Sequence, residues 1–224
     1  MIRKISLLIA ALLFLSGGIV LLGFVGKAND SLAVQSEKTK NTNTLQEGDI
    51  IFQSSMSGQS YAIQLATNSK YSHCGILLKN KKGELQVLEA IQPVVFTPID
   101  EFIRRGDDNH YMVKRLNNRD EVITEEVLKE MHQVGKSFVG KDYDIKFLWS
   151  DDKMYCSELV WKIYERSTGI KLGEPQPLKS YSLDSKVVKQ KMEERYGKDI
   201  PWVEPMVAPS TVFDAEMLEV VVEK

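Results

Sequence analysis

One cysteine of the chain, Cys156, stands where a helix is expected to begin. The segment 155–168 has a helical pattern that ends before Gly169, and Cys156 is its second residue. Free N–H groups and the positive dipole end of a helix N-terminus favour a thiolate over a thiol, and the same groups can stabilise an oxyanion on an attacked carbonyl. Asp151 and Asp152 are expected to start this helix. The position therefore predicts a nucleophile, and the alternative is a small buried hydrophobic side chain.

A nucleophilic cysteine needs a base, which is usually histidine, and the base needs a group that orients it. His73 begins the first strand of a hairpin predicted over residues 72–91. Pairing its strands with Lys79 opposite Gly83 sets His73 opposite Glu89, and side chains directly opposite on an antiparallel pair share a face. A carboxylate there would accept the imidazole N–H and favour the protonated ring. The alternative is a surface hairpin with an incidental His–Glu pair.

The other candidates for this chemistry are weaker. The chain has three histidines and two cysteines in all. His110 follows a polar loop and His132 lies among charged residues of a predicted helix. Cys74 is next to His73, so its side chain points to the other face of the strand. Cys74 is therefore predicted to be a buried core thiol and not a second nucleophile.

The elements that must position these residues are helices beside a small, mostly antiparallel sheet, which is an α+β fold. Alternation, turn residues and helix-capping residues locate them. Thr124 is predicted to cap the longest helix, and glycines close the helices that follow. The predicted strands are 48–53, 72–79, 84–91 and 110–116, and the predicted helices are 60–67, 98–105, 124–139, 155–168 and 185–196.

The N-terminal part of the chain has a different character. Residues 5–25 are apolar apart from two serines and three glycines, and as a helix they would be about 30 Å long, the thickness of a bilayer core. Basic residues precede this run, so the rest of the chain should lie on the extracytoplasmic side. Residues 1–26 are therefore predicted to be a transmembrane anchor, with a cleaved signal segment as the alternative. Residues 27–44 are a polar linker, and residues 45–224 form the folded domain.

Composition excludes several classes of protein. Of the 224 residues 43% are hydrophobic and 27% charged, so a folded core is expected. A formal net charge of -2 gives no general attraction to nucleic acid. Two cysteines without a Cys-x-x-Cys pair indicate neither a disulfide scaffold nor a zinc site. We expect no metal and no cofactor.

Several separated segments together resemble a known family. Cys156-Ser157-x-Leu159-Val160 resembles the nucleophile helix of the NlpC-type cysteine peptidases of the bacterial cell envelope. The histidine strand, the strand of the third polar residue and the run Gly48-Asp49-Ile50-Ile51-Phe52 resemble other segments of these enzymes. Here the cysteine helix comes last, which resembles the circularly permuted, YiiX-like branch of the papain-like fold. Tyr155 departs from the usual aspartate, and Cys74 from the usual aliphatic residue.

This resemblance implies a permuted papain-like fold, with Cys156 as nucleophile, His73 as general base and Glu89 as the orienting residue. Tyr155 is a candidate for the pocket or the oxyanion site. The implied function is an extracytoplasmic cysteine hydrolase that cleaves an amide or ester through an acyl-enzyme. Its substrate would be a small peptide, a peptidoglycan fragment or an acylated amine. The alternatives are a membrane-tethered binding module without turnover and a thiol acyltransferase.

Overall fold

A computed structural model describes residues 45–224. An α+β architecture is present, as predicted, with a six-stranded antiparallel sheet, a separate two-stranded sheet, and helices packed on the larger one. The strands are β1 Ile50–Gln53, β2 His73–Lys79, β3 Leu85–Ala90, β4 Val94–Thr97, β5 Met112–Leu116, β6 Gln176–Pro177, β7 Pro205–Met206 and β8 Leu218–Glu223. The α-helices are α1 Gly58–Thr67, α2 Ile99–Arg104, α3 Arg119–Val122, α4 Glu125–Phe138, α5 Cys156–Thr168, α6 Lys186–Tyr196 and α7 Pro209–Phe213.

Six strands form the main sheet in the order β4-β3-β2-β1-β5-β8. Because side chains alternate along a strand, the sheet has two buried faces. One face carries Ile76 and Leu88 and packs against α5. Apolar residues of α5 between Leu159 and Tyr164 join them in the larger of the hydrophobic cores. The other face carries Leu77 and Val87 and is covered by Phe102 of α2. The sheet is therefore a central layer between helices.

Helix boundaries follow the capping residues of the sequence. The Thr124 side chain accepts the Val127 N–H at the start of α4. Gly169 ends α5 with φ of 74°, a left-handed conformation that glycine adopts without steric cost. The predicted starting residues of α5 are wrong, however. Its N-cap is Tyr155, and Asp151 instead accepts charged hydrogen bonds from side chains further along the helix.

The hairpin of β2 and β3 forms, but its predicted register is wrong by two residues. Lys79 pairs with Leu85, because Asn80 and Glu84 already pair through the Asn80 N–H and the Glu84 carbonyl. The Asn80 side chain also accepts the Glu84 N–H, and Gly83 takes φ of 80°. The turn is therefore longer than a tight turn that closes at Gly83.

Two strands of the sheet were not predicted as strands. β4 pairs with β3 over Val87–Ala90, and β8 pairs with β5 over Met112–Leu116. β8 falls in the apolar tail, whose pattern is too short to distinguish strand from helix. The predicted anchor or signal segment, 1–26, and the linker, 27–44, lie outside the described residues. Within residues 45–224, none of the helices has the length and apolar character needed to cross a bilayer.

Candidate active site

The three residues predicted to act together do meet, and each comes from the end of a different element. His73 begins β2, Glu89 lies near the end of β3, and Cys156 begins α5. The Nε2 atom of His73 is 2.6 Å from Oε2 of Glu89. The imidazole stacks on the ring of Phe102 with 5.6 Å between centroids. Cys156 is close enough to the same imidazole for each group to shift the pKa of the other, which places the imidazole between thiol and carboxylate.

The His73–Glu89 pair is diagonal and not directly opposite. Extending the observed register puts Gly75 opposite Glu89, on the same face as His73. A Cβ atom on Gly75 would contact the Val87 side chain and lie 3.3 Å from the Glu89 Cβ. The glycine therefore leaves room for the carboxylate to reach along the strand to His73. A shift of two residues leaves every side chain on the same face of the sheet. The contact between His73 and Glu89 was therefore predicted correctly, although its diagonal geometry was not.

Glu89 is completely buried and has two further partners. Its Oε1 accepts from Nη2 of Arg105, and the Thr97 side chain is also hydrogen-bonded to it. Burial alone would raise the pKa of Glu89, but the hydrogen bond and charge of His73, followed by Thr97 and Arg105, outweigh burial and lower it. The carboxylate is thus charged and held on two sides, which fixes the orientation of the imidazole.

His73 and Cys156 form an ion pair. Burial lowers the pKa of His73, but the Cys156 thiolate and then Glu89 outweigh it and raise the pKa to about 10. The pKa of Cys156 is well below its ordinary value, first because the Cys74 thiol donates a hydrogen bond to it and then because of the positive charge of His73, against the effect of burial. A thiolate and an imidazolium are therefore expected over a wide pH range.

Cys74 contributes more to this site than the sequence indicated. It is completely buried, and it lies on the face of β2 opposite to His73, as predicted. That face is the one on which α5 packs, so the Cys74 thiol meets Cys156 at the start of α5. Burial and the neighbouring thiolate both raise the pKa of Cys74. It acts as a neutral hydrogen-bond donor to the thiolate.

A tyrosine beside the thiolate was missed by the sequence reasoning. Tyr143 lies in the loop before α5. An isolated β-bridge pairs it with Met154 near the start of that helix. Its hydroxyl oxygen accepts a hydrogen bond from Nε2 of Gln59 at 3.1 Å. Burial and then the charge of Cys156 raise the pKa of Tyr143, so its O–H stays protonated and can donate. The only sequence signal was an aromatic residue in a polar loop, which is too common to be specific.

Tyr155 forms part of a cavity wall. Its side chain is buried next to Cys156, and its hydroxyl oxygen accepts the Val207 N–H at 3.2 Å. The hydroxyl of the neighbouring Ser157 donates a hydrogen bond to the Val207 carbonyl oxygen at 2.7 Å. These contacts fix the start of α5 to the C-terminal segment. Tyr155 thus lines the pocket, and its role toward an oxyanion stays a prediction.

Two clefts open on either side of the reacting groups. The first has a volume of about 730 Å³ and borders Cys156, Tyr143 and Tyr155. Most of its remaining wall is apolar, including Ala62, Ile63, Leu178, Val188, Met192 and Val207. The second has a volume of about 610 Å³ and borders His73 and Tyr143. Tyr143 and Gln59 line both clefts, so the clefts meet at the thiol–imidazole pair.

The other two histidines lie away from this arrangement. His132 on α4 pairs with Glu47 at 2.7 Å. His110 stacks on Tyr71, with 6.1 Å between ring centroids. Neither lines the two clefts, which agrees with their low ranking as bases. Among residues 45–224, His, Cys, Asp and Glu side chains form no group of three or more that could hold a metal ion.

A helix-borne cysteine packed on an antiparallel sheet, beside a histidine and a carboxylate from that sheet, is the arrangement of the papain-like cysteine hydrolases. The strands precede the cysteine helix along the chain, which makes the arrangement a permuted one. The chain belongs to the family described as permuted papain-like amidase enzyme, YaeF/YiiX, C92 family, whose model matches residues 44–222. It is accordingly a cysteine peptidase or amidase by class.

Two relatives support this assignment. The chain is 46% identical over 180 residues to "Uncharacterized protein YiiX" of Escherichia coli (strain K12), covering 80% of this chain and 87% of that protein. A crystal structure of yiiX from Escherichia coli O157:H7 superposes with a TM-score of 0.76 at 44% identity, covering 81% of this chain and 98% of that one. That protein is described as a metalloprotein. Residues 45–224 of the present protein offer no cluster of ligand side chains that fits a metal ion.

Proposed function

We propose that this protein is an extracytoplasmic cysteine hydrolase that removes an apolar acyl group from an amine or alcohol in the cell envelope. The observation that supports this proposal most directly is the Cys156–His73 ion pair, whose thiolate lines a largely apolar cleft. Burial of a hydrocarbon chain contributes about 0.8 kcal/mol per CH₂, so such a cleft favours an acyl chain over a polar peptidoglycan fragment. The extracytoplasmic location rests on the apolar run 5–25 and the basic residues before it.

The cleft contains two cations, which do not change this preference. Lys191 is paired with Glu194 at the protein surface. Arg195 lies over the Phe147 ring, with 4.2 Å from Cζ to the centroid. Both side chains therefore already have partners, and their aliphatic stems can extend the apolar wall.

The reaction follows from the placement of the groups. The Cys156 thiolate attacks the carbonyl carbon, and the oxyanion is stabilised by the Cys156 N–H and the Tyr143 hydroxyl. His73 then gives its proton to the leaving amine or alcohol as the C–N or C–O bond breaks, and a thioester remains. Water, deprotonated by His73, hydrolyses the thioester and releases the acid. Glu89 holds the imidazole throughout.

The test uses the purified full-length protein and p-nitrophenyl dodecanoate, with release of p-nitrophenol followed by absorbance. We expect turnover by the wild type and a loss of at least about 10³-fold in Cys156→Ser, because a serine hydroxyl stays neutral where the thiol is ionised and is a much weaker nucleophile. His73→Gln should be similarly inactive. His132→Gln is the matched control, since His132 lies away from the clefts, and it should keep wild-type activity.

Equal activity in Cys156→Ser and the wild type would refute the assignment. Tight binding of dodecanoate without turnover of the ester would instead identify a binding module. A dodecanoyl amide formed when a primary amine is added, at the expense of free dodecanoate, would identify an acyltransferase.

A further inference from the structure

The second cleft, next to His73, has a more polar lining than the first. Its lining contains two aliphatic residues, Ile63 and Ile91, and the other nine side chains are hydroxyls, amides, His73, Arg105 and Tyr143. The amide and hydroxyl members are Gln53, Ser55, Ser57, Gln59, Ser60 and Ser72. A cleft with this lining suits a polar group better than the first cleft does.

The chemistry decides which part of the substrate each cleft receives. The acyl carbon becomes bonded to Cys156, which lines only the apolar cleft. The leaving atom must receive a proton from His73, which lines only the polar cleft. Because the clefts meet at Tyr143, a substrate can extend into both. The leaving group therefore lies in the polar cleft.

The charges around this cleft favour an anion. Arg105 is a cation in its lining, and the lining contains no carboxylate. Glu89 is completely buried and engages one side of the guanidinium through Nη2. Arg105 is 36% exposed, and a guanidinium has five N–H donors in a planar fork. The free donors suit a planar carboxylate.

Two further features of the cleft are available to a ligand, one to its anionic group and one to an N–H donor. Helix α1 begins here, since its N-cap Ser57 and its residues Gln59 and Ser60 are part of the lining. A ten-residue helix presents free N–H groups and a positive dipole end to an anion. Gln53 is only 2% exposed, and its side-chain Oε1 has no hydrogen-bond partner among the described residues. Since a buried amide oxygen without a partner is costly and can only accept a hydrogen bond, Gln53 is available to an N–H of the ligand and not to its carboxylate.

We propose that the polar cleft binds the leaving group and selects one that carries a carboxylate, so that the substrates are N-acyl amino acids. This proposal rests on the proposed hydrolase function. The amide C–N bond breaks as the Cys156 thioester forms, and the His73 proton goes to the amine nitrogen. Water then cleaves the thioester. The products are the fatty acid and the free amino acid, whose carboxylate had contacted Arg105.

The experiment compares dodecanoyl amides that differ only in the leaving amine. These are N-dodecanoylglycine, the neutral N-dodecanoylethanolamine, the cationic N-dodecanoyl-ethylenediamine and the phosphate-bearing N-dodecanoyl-phosphoethanolamine. The kcat/KM of the full-length protein is measured from released dodecanoate by mass spectrometry. We expect the glycine amide to exceed the ethanolamine amide at least about tenfold, the range of one charged hydrogen bond. The diamine amide should be the poorest substrate.

Arg105→Met tests the assigned residue through a ratio and not through activity alone. Because Arg105 also holds Glu89, this variant should lower every rate, but it should in addition bring the glycine-to-ethanolamine ratio to about 1. Arg105→Lys should retain part of the ratio. Arg104→Met is the matched control, because Arg104 is exposed and pairs with Asp100 away from the cleft. It should leave both rates and ratio unchanged.

Three results would overturn the proposal. One is a wild-type ratio near 1, and another is an equal loss for all amides in Arg105→Met, which would limit Arg105 to positioning Glu89. The third is a preference for the phosphate amide over the glycine amide, which would assign the cleft to a phosphate-bearing headgroup. Turnover of p-nitrophenyl dodecanoate, whose leaving group has no carboxylate, separates these failures from failure of the hydrolase function. Without Cys156-dependent turnover of that ester, both proposals fall.

Discussion

Alkylation of Cys156 by iodoacetamide measures directly whether His73 holds the thiol in its ionised form. In the wild type, the hydrogen bond from Cys74 and the charge of His73 keep the pKa of Cys156 well below its ordinary value. The alkylation rate should then be nearly constant over the pH range in which an ordinary thiol ionises. In His73→Ala the imidazolium is gone, so the pKa of Cys156 should rise and the rate should fall on acidification.

The size of this effect follows from the ionised fraction. A thiol with a pKa of about 8.5 is roughly 3% thiolate at pH 7 and roughly 0.3% at pH 6. The thiolate fraction of the wild type can therefore exceed that of His73→Ala by up to about 30-fold at pH 7 and about 300-fold at pH 6. A thiolate of lower pKa is intrinsically a weaker nucleophile, which reduces both rate ratios by the same factor. The tenfold growth of the ratio per pH unit is thus the diagnostic quantity.

The assay is a rate of label incorporation, located at Cys156 by peptide mass spectrometry, from pH 5 to 9. Cys74→Ala removes the hydrogen bond from Cys74 to the thiolate. The difference between this variant and the wild type measures how much that hydrogen bond lowers the pKa of Cys156. His132→Ala serves as the control and should reproduce the wild-type profile. Profiles of the wild type and His73→Ala that run parallel would refute the ion pair, and with it the activation of the nucleophile.

Three other outcomes are expected. The kcat/KM of the wild type should decline above about pH 10, where His73 loses the proton that it gives to the leaving group, and Glu89→Gln should move this limb to lower pH and reduce kcat by about 10²-fold or more. Gly75→Ala should cost about 1–3 kcal/mol in urea unfolding, since its Cβ overlaps β3, and an unchanged free energy of unfolding would contradict the crowding. Lys162→Met should cost about 3–5 kcal/mol at pH 8, because it leaves the buried Glu158 carboxylate without its partner. Burial raises the pKa of Glu158 to about 7 despite Lys162, so this cost should shrink at pH 5, where the carboxyl is protonated, and a pH-independent cost would be inconsistent with it.

The sequence predicted the elements that carry local signals. Thr124 and Gly169 bounded their helices because a cap is a contact between near neighbours. The pairing of His73 with Glu89 was predicted because both lie on one hairpin, and an even error in register keeps a residue on its face. The exact diagonal required the turn geometry around Asn80, which propensity alone does not specify.

The parts of the site that were not predicted depend on contacts between distant segments. Tyr143 is part of the site only because its loop passes beside α5. No sequence pattern around Tyr143 predicts that position. Arg105 reaches Glu89 from the end of α2 through a contact that hydrophobic periodicity does not encode. The two clefts likewise form between segments far apart in sequence, such as α1 and α6. The difference between their linings could be recognised only in three dimensions.

The order of the segments sets the time at which the thiol becomes reactive. His73 and Glu89 are 16 residues apart and belong to one hairpin, so this pair can form early, while the chain is still being made. Cys156 is synthesised much later, and it gains the Cys74 and His73 contacts only when α5 packs on β2. Until that docking step the chain carries an ordinary thiol, which is poorly reactive toward electrophiles at neutral pH. Chemical reactivity is thereby postponed until α5 docks on β2, and labelling of Cys156 during refolding would report the time of that docking.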